Sequence, residues 1–295
     1  MAAPHGLDKQ MIKLSIIILS YNTKELTLRC IQSIFSQYKK ELLEKEFEVI
    51  VVDNNSSDDS VKSIKYNAIT VIENKENVGF GRGANIGASA AKGKYVLFLN
   101  SDTEVLDHGF MSMMEFLENN PKIAILGGKL ENIDGSAQRS AGKFYNFGNL
   151  IIMLLGLERL GFLRSSPSKI QKVDWVSGAC MMVRADIFEK LSGFDGKLFM
   201  YMEDMEICFR AKKLGFLTYF YPSLRLKHKS LGSSNRTFAI INIYKGILHF
   251  YAKHKNYFEY LAAKTLLIAK AAILILVGFL TFNSELRDRY RKAIS

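Results

Sequence analysis

Apolar and β-branched residues arrive in short blocks along the first half of the chain, each closed by a polar turn and followed by a helical pattern. The block KLSIIILS is apolar without alternation, as expected of a strand covered on both faces. After it Leu26, Leu28, Cys30, Ile31, Ile34 and Phe35 fall on a helical pattern. FEVIVVD predicts a second strand, closed at Asp53 by the turn NNSSDDS, whose side chains suit helix capping. AITVIEN predicts a third strand, Arg82 to Ala91 a helix of small residues, and KYVLFLN a fourth strand ending at Asn100-Ser101-Asp102. A helix from about Asp107 to Asn119 stops before Pro121, and KIAILGG follows as a fifth strand. Strands separated by helices predict an α/β fold with a mostly parallel sheet and right-handed crossovers. In such sheets ligands gather beyond the carboxyl ends of the strands. Ser20-Tyr21-Asn22, Asp53 and Asp102 are all predicted at that edge.

The second half is less regular. Asn149 to Leu163 is an apolar stretch between polar loops, a helix or a flap. VDWVSGACMMVR predicts one strand, ADIFEKL a short helix, and Glu203 to Leu214 a helix entered through GFDGKLFMYM. GFLTYFYP predicts a last strand, and the basic KHKSLGSSNR a loop holding His228 beside Lys227, Lys229, Ser233 and Ser234. Two helical patterns close the chain, about Phe238 to His254 and Tyr257 to Phe282.

With 295 residues, 48% hydrophobic and only 4 Pro, the chain can bury a sizeable core and has no long disordered linker. Cys30, Cys180 and Cys208 are too few and too scattered for a disulfide framework or a CxxC zinc site, which points to a reducing compartment. MAAPHGLDKQMIK lacks the apolar stretch of a secretion signal, and Leu14 to Leu19 is too short for one. Secreted, collagenous and disulfide-rich classes are excluded. The net charge of +11 is local: residues 225–295 hold 13 basic and 3 acidic side chains, leaving 27 and 26 in the rest. Because this tail also carries the most apolar segment, Leu261 to Phe282, it suits an anionic membrane surface better than nucleic acid. Lys264 and Lys270 interrupt that segment, and basic clusters flank it on both sides, so a span would strand one cluster outside. An interfacial helix or helical hairpin is expected over residues 238–295, with a true span and a homodimer contact as the alternatives.

Three constellations could carry chemistry. Asp53 and Asp102, at the ends of different strands, can accept an N–H or hold a divalent cation. NVGFGRGANIG opens a helix with Gly79, Gly81 and Gly83, suited either to a phosphate at the helix N-terminus or to tight helix–sheet packing. Its match to a dinucleotide fingerprint is discounted, because that motif belongs directly after the first strand. Glu203-Asp204 fit a general base and its supporter, with Glu206 and Arg210 one helical turn apart. His228 could contact a diphosphate or metal, and Trp175 either stacks on a sugar ring or fills the core.

Taken in order, SIIILSYN, VIVVDNNSSD, NVGFGRGANIG, YVLFLNSD, WVSGACMMVR and GFDGKLFMYMEDMEICFR resemble the family 2 inverting glycosyltransferases of GT-A fold, in particular their rhamnosyltransferase-like branch. The resemblance covers about residues 14 to 234. It implies a Rossmann-like GT-A sheet in a domain of residues 1–236, with a nucleotide-binding half at 12–127 and an acceptor and catalytic half at 128–236. Residues 237–295 would form a membrane-associating helical extension. By the same resemblance Asp53 would read the N3–H of uracil or thymine. Ser20, Tyr21, Asn22, Gly81, Arg82, Asn85, Asn100 and Ser101 would flank the nucleotide sugar. Asp102 and His228 would hold Mg²⁺ or Mn²⁺ against the donor diphosphate. Asp204 would deprotonate the acceptor, Glu203 would orient it, and Trp175 would face the acceptor.

The implied reaction moves a sugar, in this branch rhamnose from dTDP-rhamnose, to a lipid-linked or cell-surface glycan at the cytoplasmic face of the cell membrane. A UDP-hexose or UDP-N-acetylhexosamine donor, or a non-catalytic binding partner, are the alternatives. Two departures stand out: the usual D-x-D reads Asn100-Ser101-Asp102, and Glu206 stands where Asp is common. Asp53, Asp102 and Asp204 are expected to meet around one hollow.

Overall fold

The computed structural model describes residues 11–64, 68–157, 161, 163–229 and 235–294. Strands β1 (Leu14–Ser20), β2 (Phe47–Asp53), β3 (Ile69–Glu73) and β4 (Tyr95–Asn100) pair in the order β3-β2-β1-β4, all parallel. Helices α1 (Lys24–Leu43), α2 (Ser60–Ser63) and α3 (Phe80–Ala90) connect them. Ser20 lies opposite Asp53, and Leu19 opposite Asn100, so the turns after β1, β2 and β4 open on one edge. Both faces of β1 are buried, which is why its sequence does not alternate. Ile17 packs with Val52, Phe98 and Ala84 on one side, and Ile16 and Ile18 with Ile31, Val51 and Leu97 on the other.

The chain continues through β5 (Thr103–Val105), α4 (Gly109–Asn119), β6 (Ile123–Glu131), β7 (Ala141–Gly142), α5 (Phe147–Leu154), β8 (Arg164–Ser165), β9 (Gln171–Val173), β10 (Trp175–Val176), β11 (Cys180–Arg184), α6 (Ala185–Lys190), α7 (Glu203–Lys213) and β12 (Leu217–His228). The large sheet runs β3-β2-β1-β4-β11-β6-β12-β5, with β9 also on β12. Strand β11 is antiparallel to both β4 and β6, while β6 and β12 point the same way as β1 to β4. A small sheet, β10-β7-β8, stands apart. The three cysteines are buried and unpaired.

Several sequence expectations change here. VDWVSGACMMVR is not one strand: the Cys180 N–H donates to the Ser177 carbonyl in a tight turn, so β9, β10 and β11 join different partners. The last strand does not end at Pro222. A register shift between Tyr221 and Arg225 absorbs the proline, and the strand resumes to pair Leu226–His228 with β5. His228 therefore ends a strand instead of lying in a loop; Ser233 and Ser234 are outside the described residues. Of the Asn149–Leu163 stretch, a helix forms over its first part, as α5.

The tail is α8 (Arg236–His254), α9 (Tyr257–Leu280) and α10 (Ser284–Ile294). Asn256 and Glu259 form a reciprocal cap that starts α9. The basic cluster after α9 is itself a helix: α10 folds back, burying Tyr290 and Ala293, and Arg287 and Arg291 lie over the Phe279 ring at 4.7 and 5.5 Å. α9 is long and apolar enough to cross a bilayer, and only 22% of its most apolar stretch is buried.

Helix α8 is pinned to α7 by charge. Glu206, completely buried, accepts from Arg210 Nε at 2.8 and 2.9 Å and from Lys253 at 2.8 Å, and lies 2.9 Å from His254 Nε2. Asp195 meets Lys253 at 2.7 Å and His249 at 2.8 Å. Burial alone would raise the Glu206 pKa, but hydrogen bonds from His254 and Arg210 pull it down to about 2.

Candidate functional site

Beyond the strand ends lies a cavity of about 690 Å³. Its wall is drawn from Tyr21 after β1, Asn54 after β2, Asn100, Ser101 and Asp102 after β4, His228 at the end of β12, Glu203 and Asp204 at the start of α7, and Asn235, Phe238 and Ile243 beside and on α8. Asp102 and Asp204 thus share one cavity. Asp53 is buried just behind the lining, next to Asn54; its Oδ2 accepts from the Ser56 N–H at 2.8 Å. Its Oδ1, also buried, has no hydrogen-bond partner among the described residues. A buried carboxylate oxygen left unsatisfied is costly unless a ligand supplies the donor.

His228 is oriented by Gln138. The Gln138 Nε2 donates to the His228 carbonyl at 2.6 Å and to Asn132 Oδ1 at 2.7 Å, so its Oε1 faces His228 Nδ1 at 2.8 Å. In the tautomer with the proton on Nδ1, Nε2 presents a lone pair. Nε2 lies 3.2 Å from both Asn100 Nδ2 and Asp102 Oδ1. Two acceptors held this close, an imidazole nitrogen and a carboxylate oxygen, form a donor set that a divalent cation fits. Among the described residues no group of three His, Cys, Asp or Glu side chains could hold a metal. Other ligands would have to come from elsewhere.

The carboxylate pair opens α7 after an unusual turn: Tyr201 and Met202 both have left-handed backbone, φ 67° and 75°. Such conformations in bulky residues persist only where the surroundings hold them. Gly246 of α8 does part of this, since a Cβ there would lie 2.7 Å from Met202 Cγ. Asp204 Oδ1 accepts from the Met205 N–H at 2.7 Å, and Oδ2 from Gly178 at 3.3 Å. Burial raises the Asp204 pKa, offset in part by those amides and by the charge of Arg164. Glu203, more deeply buried and with Oε2 unpaired among the described residues, is raised well above the usual range by burial and then by Asp204. Both shifts run upward, with the larger rise at Glu203.

Other sequence candidates sit elsewhere. The Ser20 hydroxyl is buried against Thr23 and Thr27, and Asn22 ties the β1 turn to Ser56 and Ser57. Gly81, Arg82 and Asn85 are not in the cavity wall. Asn85 exchanges two 2.8 Å bonds with the Phe194 backbone, Arg82 donates to the Gly196 carbonyl at 2.8 Å, and Gly81 makes room for Phe194. The helix N-terminus is likewise spent on protein, the Phe80 N–H donating to Phe199 O at 2.7 Å. At Gly79, φ +82°, any Cβ would collide with that carbonyl. Close packing accounts for Gly79 and Gly81. Trp175 lines the cavity but is largely buried, its indole N–H donating to Lys143 O at 3.0 Å.

Sequence reading missed Gln138, Arg139, Tyr145 and Arg164, all in the cavity wall. They come from short segments with no periodic signal, and only the placing of two arginines and a glutamine between apolar stretches could have flagged them.

A sequence model described as glycosyl transferase family 2 matches residues 15–192. The chain is 26% identical over 246 residues to an N-acetylglucosaminyl-diphospho-decaprenol L-rhamnosyltransferase of Mycobacterium tuberculosis, covering 74% of this chain and 76% of the relative. It is 25% identical over 247 residues to the rhamnosyltransferase WbbL of Escherichia coli, covering 78% and 90%. In fold it is similar to a mannosyltransferase of Pyrobaculum calidifontis solved with GDP-Man and Mn²⁺ (TM-score 0.57, 15% identity, 97% of this chain and 86% of that one). It is similar as well to S. aureus TarS 1-349 (TM-score 0.55, 16% identity, 96% and 90%).

Proposed function

The chain belongs to glycosyl transferase family 2, and from that premise we propose an inverting transfer of rhamnose from dTDP-rhamnose to a lipid-linked or cell-surface glycan. The observation that carries this reading is one cavity receiving both the Asp102–His228 donor set and the Glu203–Asp204 pair. Asp53, with its orphaned Oδ1, would accept the N3–H of the thymine. Asp102 and His228 would hold Mg²⁺ or Mn²⁺, with diphosphate oxygens completing the set. Bound there, the cation would neutralise charge on the leaving nucleoside diphosphate. Asp204, whose raised pKa makes it a stronger base than a free carboxylate, would take the proton of the acceptor hydroxyl as that oxygen attacks the anomeric carbon. Glu203, buried beside it, would orient it. One displacement on the face opposite the leaving group inverts the centre.

The rhamnose assignment leans on the names of the mycobacterial and E. coli relatives. The extension α8–α10 would dock on the cytoplasmic face of the membrane: α9 exposes Leu261, Ile268, Ile273 and Leu276 next to a strongly basic helix. Assaying Asp204→Asn with dTDP-rhamnose, UDP-glucose and UDP-N-acetylglucosamine tests the scheme. Transfer should fall roughly 10²–10⁴-fold while nucleotide binding stays. An active Asp204→Asn enzyme overturns the assignment of the base, and wild-type transfer from UDP-sugars alone overturns the donor.

A further inference from the structure

The turn that follows β6 carries a chain of side-chain hydrogen bonds that ends at His228. The turn is closed on itself: Glu131 bridges Ala137, the Asn132 N–H donates to the Ser136 carbonyl at 2.8 Å, and Gly135 takes φ +82°. It lies beside the end of β12, because Lys227 is in register with Glu131. At its tip the Asp134 carboxylate can only accept, so the Ser136 hydroxyl donates to it, at 2.6 Å. With that proton committed, Ser136 Oγ accepts from Asn132 Nδ2 at 2.8 Å, which turns Asn132 Oδ1 toward Gln138. Gln138 Nε2 then meets two acceptors, Asn132 Oδ1 at 2.7 Å and the His228 carbonyl at 2.6 Å. The carbonyl alone decides which way the amide points, since a backbone oxygen has no proton to give. Gln138 Oε1 is left 2.8 Å from His228 Nδ1. On the other side of the ring Asn100 Nδ2 stands 3.2 Å from Nε2, a donor against that nitrogen. The backbone carrying Asp102 and His228 is fixed as well: His228 is in register with Thr103, and the Lys229 N–H donates to the Asp102 carbonyl at 3.1 Å.

We infer that Gln138 is a positioning residue that holds the His228 ring with its proton on Nδ1, so that the Nε2 lone pair and the Asp102 carboxylate converge on a divalent cation. The inference rests on the metal site of the proposed reaction and adds the group that sets its imidazole ligand. An imidazole binds a cation only through a nitrogen without a proton, and what the other nitrogen meets decides which one that is. Left to Asp102, whose Oδ1 is 3.2 Å from Nε2, the ring would gain by placing its proton on Nε2 and donating it to that carboxylate. A cation would then have to displace the proton before binding. Gln138 opposes this with an acceptor at Nδ1, and its two other bonds stop the amide from turning over to present its NH₂ there.

The test reads the ring directly. Metal-free protein labelled with ¹⁵N-histidine is held at about pH 8.5, well above the ordinary imidazole pKa. His228, one of five histidines, is assigned by its loss in His228→Gln and followed in long-range ¹H–¹⁵N spectra. The wild type should show a protonated Nδ1 and a bare Nε2. Gln138→Met, similar in length but with no amide to donate or accept, should move the proton to Nε2. Asn132→Asp, which keeps an acceptor facing Gln138 Nε2, should leave it on Nδ1. Mn²⁺ titrations followed by electron paramagnetic resonance, with dTDP present, should give an affinity roughly 10–100-fold weaker in Gln138→Met and close to wild type in Asn132→Asp. Thermal melts of each variant separate a lost ring orientation from a lost fold. A wild-type ring protonated on Nε2, or on both nitrogens, overturns the inference, as does a folded Gln138→Met protein with the wild-type tautomer or the wild-type Mn²⁺ affinity. A wild type that binds no Mn²⁺ removes the metal site itself, and the inference with it. Neither readout involves sugar transfer, so a wrong donor or a wrong base leaves both results intact.

Discussion

Replacing Glu206 with Gln tests the joint between α7 and the tail. The substitution keeps shape but leaves Arg210 and Lys253 facing a neutral amide in a buried site. A fall in pKa from 4.5 to about 2, at 1.36 kcal/mol per unit, corresponds to on the order of 3 kcal/mol of stabilisation. Breaking a buried ion pair by removing one partner costs a comparable 3–5 kcal/mol, roughly. For a chain of this size that lowers the melting temperature by roughly 5–10 °C at pH 7. The sign with pH follows from the lowered pKa. The carboxylate's contribution is fully present above its ordinary pKa and disappears as pH falls toward the folded value. The wild type should therefore lose its advantage over Glu206→Gln between about pH 4.5 and 2. Urea midpoints of both proteins from pH 7 down to pH 3 measure this. A Glu206→Gln protein as stable as wild type at pH 7, or a gap that does not shrink on acidification, would refute the reasoning.

Three further outcomes are expected. Tyr38→Phe removes the hydroxyl that donates to Asp107 O and accepts from the buried Phe110 N–H, and should cost about 1–3 kcal/mol in denaturant melts. Gly79→Ala forces a Cβ into the Phe199 carbonyl at a left-handed φ, and should lower both stability and kcat, because Phe199 leads into the Tyr201–Met202 turn. Vesicles of anionic lipid should capture the full chain, and high salt should release only part of it, because the α9 ridge binds by apolar area as well as charge; complete release by salt would assign the contact to charge alone.

The parallel half of the sheet was legible because its strands are buried on both faces and so read as uninterrupted apolar blocks, each ending in a polar turn. Asp53, Asp102 and the Glu203–Asp204 pair stood out because polar residues closed those blocks or opened a helix. The rest was hidden by non-local causes. Strand β11 inserts antiparallel between β4 and β6, and no local pattern records a partner. His228 extends a strand only because a bulge absorbs Pro222. Asn85 and Arg82 looked like ligand contacts but serve the backbone at 193–196, over a hundred residues away. Arg164 gained its position from Trp175 and Tyr145, which only the folded chain brings together.

Since Phe238 and Ile243 belong to the cavity wall and Gly246 braces the turn before Glu203, the tail is not a detachable leash. Shortening the protein ahead of residue 236 to ease its handling would remove part of the cavity wall and release the turn that leads into Glu203 and Asp204. A more manageable version should come from repainting the outward ridge of α9 with polar side chains, leaving α8 whole.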